Sequence, residues 1–228
     1  MKSSKKLNSL FSVFLIALTL TIFSSCNKDD EQVPAIGTFT YKVAFSGNSS
    51  SYLNFSTGEL VLREIVWDGT LEGNAISTSI THSIITSVDV ATGLASPTTP
   101  IVDIAPGKYS DISMGIELQD NGVDPNMILE GIFTHSNAST IPIKFIFDSG
   151  EVFEGSLSNY TIAPGSNTTC TLTLDLIHWF QNISQSELED ASLTSGTIVL
   201  SESSNAELYD KVETAILNAT ESGSISFK

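Results

Sequence analysis

Residues 37–47, GTFTYKVAFSG, set Phe39, Tyr41, Val43 and Phe45 at every second position. Side chains of a strand alternate between two faces, so this period of two reads as a half-buried β-strand. Outward from it, GELVLREIVWDG (58–69) is apolar on both faces: Leu60, Leu62 and Val66 on one, Val61, Ile65 and Trp67 on the other. A strand covered on both sides belongs in the middle of a sheet. AISTSITHSIITSVDV (75–90) alternates Ile76, Thr78, Ile80, His82 and Ile84, then changes phase near Ile85, which predicts a bulge.

The same pattern continues to residue 180. MILEGIFTH (127–135) and TIPIKFIFDSG (140–150) predict a hairpin across 136–139. Pro106-Gly107 marks a turn between two short strands, and Ala163-Pro164-Gly165-Ser166 marks another between EVFEGSLSNYTI (151–162) and NTTCTLTLDLIHWF (167–180). Beyond residue 180 the character changes. Ser184 with Glu187 and Ser204 with Glu207 have the spacing of capping boxes, each opening a helix. Leu208, Val212, Ala215, Ile216 and Ala219 share one helical face, and Gly223 closes that helix. SGTIVLSES (195–203) is a strand between the two helices. The expected fold is mainly β, an antiparallel β-sandwich of about eight or nine strands with a short C-terminal amphipathic helix, in one domain over 37–228.

The N-terminus has a different logic. Lys2, Lys5 and Lys6 precede an uncharged apolar run, Leu10–Phe23. That run is shorter than the ~20 residues that cross a bilayer as a helix. A basic start, a short apolar stretch and small residues describe an export signal over 1–25. Ser24-Ser25-Cys26 resembles the lipobox of bacterial lipoproteins, a resemblance that implies lipidation of Cys26 after cleavage. Asn27-Lys28-Asp29-Asp30-Glu31 resembles the acidic export tag of Bacteroidota lipoproteins, with 26–36 as lipidated Cys and acidic linker. It implies an outer-membrane protein held at the cell surface by lipid on Cys26, because several buried acyl chains hold a protein firmly on a bilayer. ELVLREIVWDG, SVDVATG, DIAPGKYSDISMGIEL, TIPIKFIF and LTLDLIHWF are similar to an uncharacterised β-sandwich domain of such surface lipoproteins. That resemblance implies a fold and no catalytic residue.

Composition excludes several functions. The chain has 26 acidic and 10 basic residues, a formal charge of −16. Loss of the three signal-peptide lysines, with no acid lost, takes this to −19. Such a surface repels nucleic acid. There are two cysteines, and with Cys26 lipidated Cys170 has no intrachain partner, so it reads as a small core residue.

No phosphate-binding loop and no G-x-S-x-G elbow occurs, and His82, His135 and His178 are scattered without ligand spacing. The expectation is a non-enzymatic binding or interaction module with no cofactor, its partner a polysaccharide or a surface protein. Trp67, Tyr109 and Trp179, with Tyr160 and Phe180, are candidate aromatics for a glycan face, Trp67 because it ends a strand beside Asp68-Gly69. The alternative is calcium. Glu117, Asp120, Asp124 and Asn126 gather oxygen ligands around one loop, although the twelve-residue calcium loop and its final Glu are missing. The same Asp-Asn-Gly and Asp-Pro-Asn are ordinary turn formers. Copper at a histidine with Cys170, Met114 or Met127 has suitable ligand types but no supporting spacing.

Overall fold

The computed structural model describes residues 35–228 apart from 121–124 and 221–222, and for side chains apart from 82–85 as well. Residues 35–228 form one compact unit that contains every core residue named below. The signal segment, Cys26 and Asp124 lie outside the described residues.

The unit is mainly β, as the period of two predicts. Its strands are β1 (Gly37–Ser46), β2 (Leu53–Leu71), β3 (Asn74–Asp89), β4 (Ala95–Ser96), β5 (Val102–Ile104), β6 (Gly107–Leu118), β7 (Met127–Thr134), β8 (Thr140–Phe147), β9 (Val152–Ile162), β10 (Asn167–Asp175), β11 (Leu193–Thr194), β12 (Thr197–Leu200) and β13 (Gly223–Phe227). Three helices interrupt the second half: α1 (Leu176–Trp179), α2 (Gln185–Glu189) and α3 (Ala206–Asn218). The described strands number thirteen rather than eight or nine, and they form one mixed sheet. Three neighbouring pairs are parallel, β1 with β10, β8 with β12 and β9 with β13. An alternating pattern reports which face a side chain takes. It carries no information on the direction of the neighbouring strand.

β2 is the central spine, as expected, but it does not bury two faces: the register shifts between Leu62 and Glu64, and Leu60, Leu62, Ile65 and Trp67 are all buried while Val61 and Val66 are half-buried. β3 pairs along one edge from Glu59 to Leu71. β6 and β7 lie end to end along the other, against Leu62–Leu71 and Leu53–Leu60. Between them, Val61 donates to Asn126 O at 2.8 Å and accepts from Gln119 N at 2.9 Å. Gly131 permits the bulge of β2 between Phe55 and Thr57, since a Cβ there would stand 2.1 Å from Asn54 O. The expected irregularity in β3 is present: Leu62 pairs with Thr86 but Glu64 with Thr81, so the β3 backbone bulges opposite Arg63.

The sheet runs on from β6 through β9, β13, β10 and β1 to β5. It also curls over itself, because Phe39 of β1 meets Trp67 of β2 edge to face at 5.5 Å although five ladder steps separate the two strands. β1 and β10 thus lie across the core from β2 and β6. The other flank, β2–β7–β8–β12, is closed by helical residues instead. Phe180, after α1, packs on Phe55 and Phe145 with centroids at 4.5 and 5.4 Å, and Tyr209 of α3 stacks on Phe145 at 5.8 Å.

The hairpin of β7 and β8 stands where the sequence placed it, closing at Thr134 with Thr140. Leu208, Val212, Ala215, Ile216 and Ala219 are buried on one side of α3, also as expected. Two readings need correction. Gly223 does not close α3, which already ends at Asn218; it opens β13, which slots between β9 and β10. Ser204 does not cap α3 either. The N-cap is Asn205, in the left-handed region at φ 50°, and its side chain bonds elsewhere: to Ser192 N at 2.8 Å, Ser192 O at 3.0 Å and Val199 O at 2.8 Å. Asn tolerates that backbone better than most residues, and here it ties the helix start to β12 and the segment before β11.

Candidate functional site: an open groove on the outer face of the sheet

The curl leaves an outer face whose side chains come from the alternate positions of each strand. Register alone builds a row across it. Ser77 pairs with Asp68, Asp68 with Ser113, Ser113 with Ser156, Ser156 with Ser224, and Ser224 with Thr173. Six neighbouring strands therefore present five hydroxyls and one carboxylate in a line. Small β-compatible hydroxyl residues suit a solvated sheet face, and each offers a donor and an acceptor.

At the β3–β2–β6–β9 end this face sinks into an open groove of about 430 Å³, lined among others by Asp68, Ser77, Asp111, Ser113 and Ser156. A bulge shapes it. Gly69 pairs with Ile112 but Leu71 with Tyr109, so β6 carries one residue more than β2 there. The extra residue turns both Ser110 and Asp111 outward. Ser110 Oγ donates to Asp111 Oδ2 at 3.1 Å. The groove floor rests on Trp67 and Tyr109, which pack edge to face at 5.2 Å. Gly69 makes room above them, since a Cβ there would lie 2.8 Å from Trp67 Cη2 and 3.0 Å from Tyr109 Cδ1.

A second open groove, of about 410 Å³, lies where α2 meets the start of α3, beside Glu187, Asp190 and Glu207. Its chemistry is already committed. Lys211 Nζ bonds Glu187 Oε1, and the Ser184 N–H and Oγ donate to Glu187 Oε2 at 2.8 and 2.7 Å. The Lys211 ammonium, then these Ser184 bonds, hold the Glu187 carboxyl down to about 2. This is the first capping box, formed as its spacing predicted.

The aromatics expected to be exposed are core residues. Trp67 and Tyr109 are 0 % exposed and Trp179 is 2 %. Trp67 ends no strand: β2 continues to Leu71, and its indole faces inward against Phe39 and Tyr109. Tyr109 donates its hydroxyl to Ala105 O at 2.8 Å and so satisfies itself locally. Trp179 sits on α1 rather than beyond a strand and stacks on Phe153 at 5.3 Å. Phe180 is buried too, and Tyr160 stacks on Phe227 at 4.1 Å. No aromatic of this set offers a free platform.

The oxygen ligands proposed for calcium are dispersed in the described part of their loop. Glu117 Oε1 accepts from Arg63 Nη1 at 2.9 Å. Asp120 is exposed beside Gly150, whose added Cβ would stand 2.9 Å from Asp120 Cβ. Asn126 is buried because its backbone bridges Val61 and Phe147. Among the described residues no three His, Cys, Asp or Glu side chains gather as a metal site would need. For copper, Cys170 and Met114 do meet, but burial pushes the thiol up to about 12, and a protonated thiol is a poor ligand. His135 contacts Glu189 at 3.3 Å and His178 contacts Gln181 at 3.2 Å, both away from that pair.

No family model, no curated protein and no solved structure matches the chain. The groove is therefore read from its own chemistry. Sequence inspection missed Asp68, Asp111 and the serine row. Each is unremarkable in its own segment, and only strand register brings them together.

Proposed function

We propose that the chain is a lipid-anchored, non-enzymatic binding protein of the outer cell surface that takes a polysaccharide along the β3–β2–β6–β9 groove. The observation that carries this reading is the line of Ser77, Asp68, Ser113 and Ser156 through an open groove. Sugar hydroxyls both donate and accept, as serine hydroxyls do, and a carboxylate accepts from two neighbouring sugar hydroxyls. An open trough suits a chain that passes through it, whereas a small-molecule site encloses its ligand. With Trp67, Tyr109 and Trp179 buried, recognition rests on hydrogen bonds rather than stacking. The anchor rests on the lipobox resemblance at Cys26, and the surface address on the acidic run after it.

Thermal unfolding of Asn27–Lys228 against a panel of neutral and cationic polysaccharides tests the binding. A ligand at 100 times its Kd raises stability by ~2.7 kcal/mol if it binds only the folded state. One polysaccharide class should raise the midpoint, and Asp68→Asn with Ser113→Ala should abolish that rise while leaving the unliganded midpoint in place. A panel without effect, or a rise that survives both substitutions, rejects the groove. For the anchor, radiolabelled palmitate should enter the full chain and not its Cys26→Ser variant.

A further inference from the structure

The edges of a β-sheet expose unpaired N–H and C=O groups, and proteins normally guard them with short strands, proline or charge. Most edges here are guarded by being short. β11 and β4 have two residues each and β5 has three. β5 also carries Asp103 and lies between Pro100 and Pro106.

β3 is the exception. Its inner edge pairs with β2 from Asn74 onward, but β4 covers its outer edge only at Ser87 and Val88. Among the described residues no strand pairs with that outer edge over Asn74–Thr81. The stretch Asn74–Val88 holds no Asp, Glu, Lys, Arg, Pro or Gly, in a chain with 26 acids. Ile76, Thr78, Ile80 and Thr81 are β-branched, and Ile76 and Ile80 are only partly buried where they pack against the core. Alternate residues of this edge direct both backbone groups outward.

We infer that a second copy of this chain pairs with the Asn74–Thr81 edge, antiparallel about a two-fold axis, so that the two sheets continue through β3 into one. The sequence of the edge is self-complementary. With Thr78 on the axis, Ile76 opposes Ile80 of the partner, Ser77 opposes Ser79 and Ala75 opposes Thr81. Isoleucine meets isoleucine, serine meets serine, the small Ala75 meets Thr81, and no charge meets a charge. That last point selects a copy over a charged peptide: the edge has no side chain to pair with one, and two acidic molecules can approach closely only where neither carries charge. The contact is isologous and closes on itself, so it yields dimers and not fibres. Seven paired residues fall below the ~800 Å² per partner of a standard stable interface. The dimer is consequently weak and concentration-dependent, and confinement on a membrane favours it. The edge adjoins the polysaccharide groove and shares Ala75, Ile76 and Ser77 with it, but the pairing runs through the β3 backbone and does not depend on sugar binding.

Sedimentation of Asn27–Lys228, which contains the whole compact unit, tests the pairing. The wild type should move from monomer towards dimer as its concentration rises. The double variant Ser77→Lys/Ser79→Lys places lysines opposite one another across the axis. It should remain monomeric at every concentration at which the wild type dimerises, with an unchanged thermal midpoint because both serines are exposed. Mixing it with the Ser77→Glu/Ser79→Glu variant should restore dimers, which a merely structural lesion cannot do. A wild type that stays monomeric throughout, a lysine variant that dimerises as well as the wild type, or a mixture that fails to associate overturns the inference.

Discussion

The Cys170 thiol donates a hydrogen bond to the Met114 thioether at 3.4 Å across the interior of the curled sheet. Cys170 neighbours Tyr41 on β1, and Met114 neighbours Trp67 on β2. One contact thus joins the two facing layers in the buried core, where all four side chains are at most 4 % exposed. A thiol there is a packing element with a weak donor.

Cys170 should therefore be silent in the folded protein. In Asn27–Lys228 it is the one cysteine, so a thiol reagent should react only at the rate of unfolding and fully in denaturant. Cys170→Ala should cost about 1 kcal/mol through the cavity it leaves, measured by urea unfolding.

Alkali should unfold the domain through the same group. Burial raises the thiol from its ordinary 9.0 to about 12, so the folded state holds this proton more tightly than the unfolded state. The stabilisation is complete below about pH 9 and is lost as pH rises towards 12. Burial and then the Cys170 thiol raise the Tyr41 phenol in the same sense. Urea midpoints should be level up to about pH 9 and then fall. A flat profile through pH 11 would show the thiol to be solvated.

The capping box at α2 should respond to acid. Its carboxylate is held low by Lys211 and Ser184, so what it contributes is present above the ordinary carboxylate range and disappears as pH falls towards 2. Ser184→Ala should cost about 1 kcal/mol at neutral pH, as N-cap losses do. The gap in thermal midpoint between wild type and Lys211→Ala should narrow below pH 4.

Trp67 and Trp179 should emit at short wavelength and resist iodide quenching until the protein unfolds, since both lie in the core. Saturating polysaccharide should leave their emission unchanged. Trp67→Ala should lose about 3–5 kcal/mol, the usual cost of emptying a large aromatic site.

The last strand should be indispensable. β13 lies between β9 and β10, and Tyr160 stacks on Phe227. Ending the chain at Ser222 should abolish cooperative unfolding. Gly155→Ala is the milder probe. Its Cβ would stand 2.8 Å from Gly223 O and 2.9 Å from Leu172 Cδ1, so it should cost about 1–3 kcal/mol by overpacking.

Local order was legible in the residues. The period of two gave β1, β2 and the β7–β8 hairpin, and the spacing of Ser184 and Glu187 gave the box at α2. The 3.6-residue face gave α3, because each of these signals is contained in the segment that obeys it. GSISF was harder: five residues after a helix carry too little alternation to announce a central strand, and pairing on both sides is what holds it. Asn205 displaced Ser204 as the cap because its amide finds partners on segments six and thirteen residues away.

The sequence by itself determined that this is a mainly β chain with a helix near its end, since periodicity and propensity are local. Only the tertiary structure decided that the sheet is mixed, that it curls so Phe39 covers Trp67, and that Asp68 lines up with Ser77, Ser113 and Ser156. Those outcomes depend on which strand edges pair and in what register. That choice is made by burying the whole apolar surface at once, and no single segment carries it.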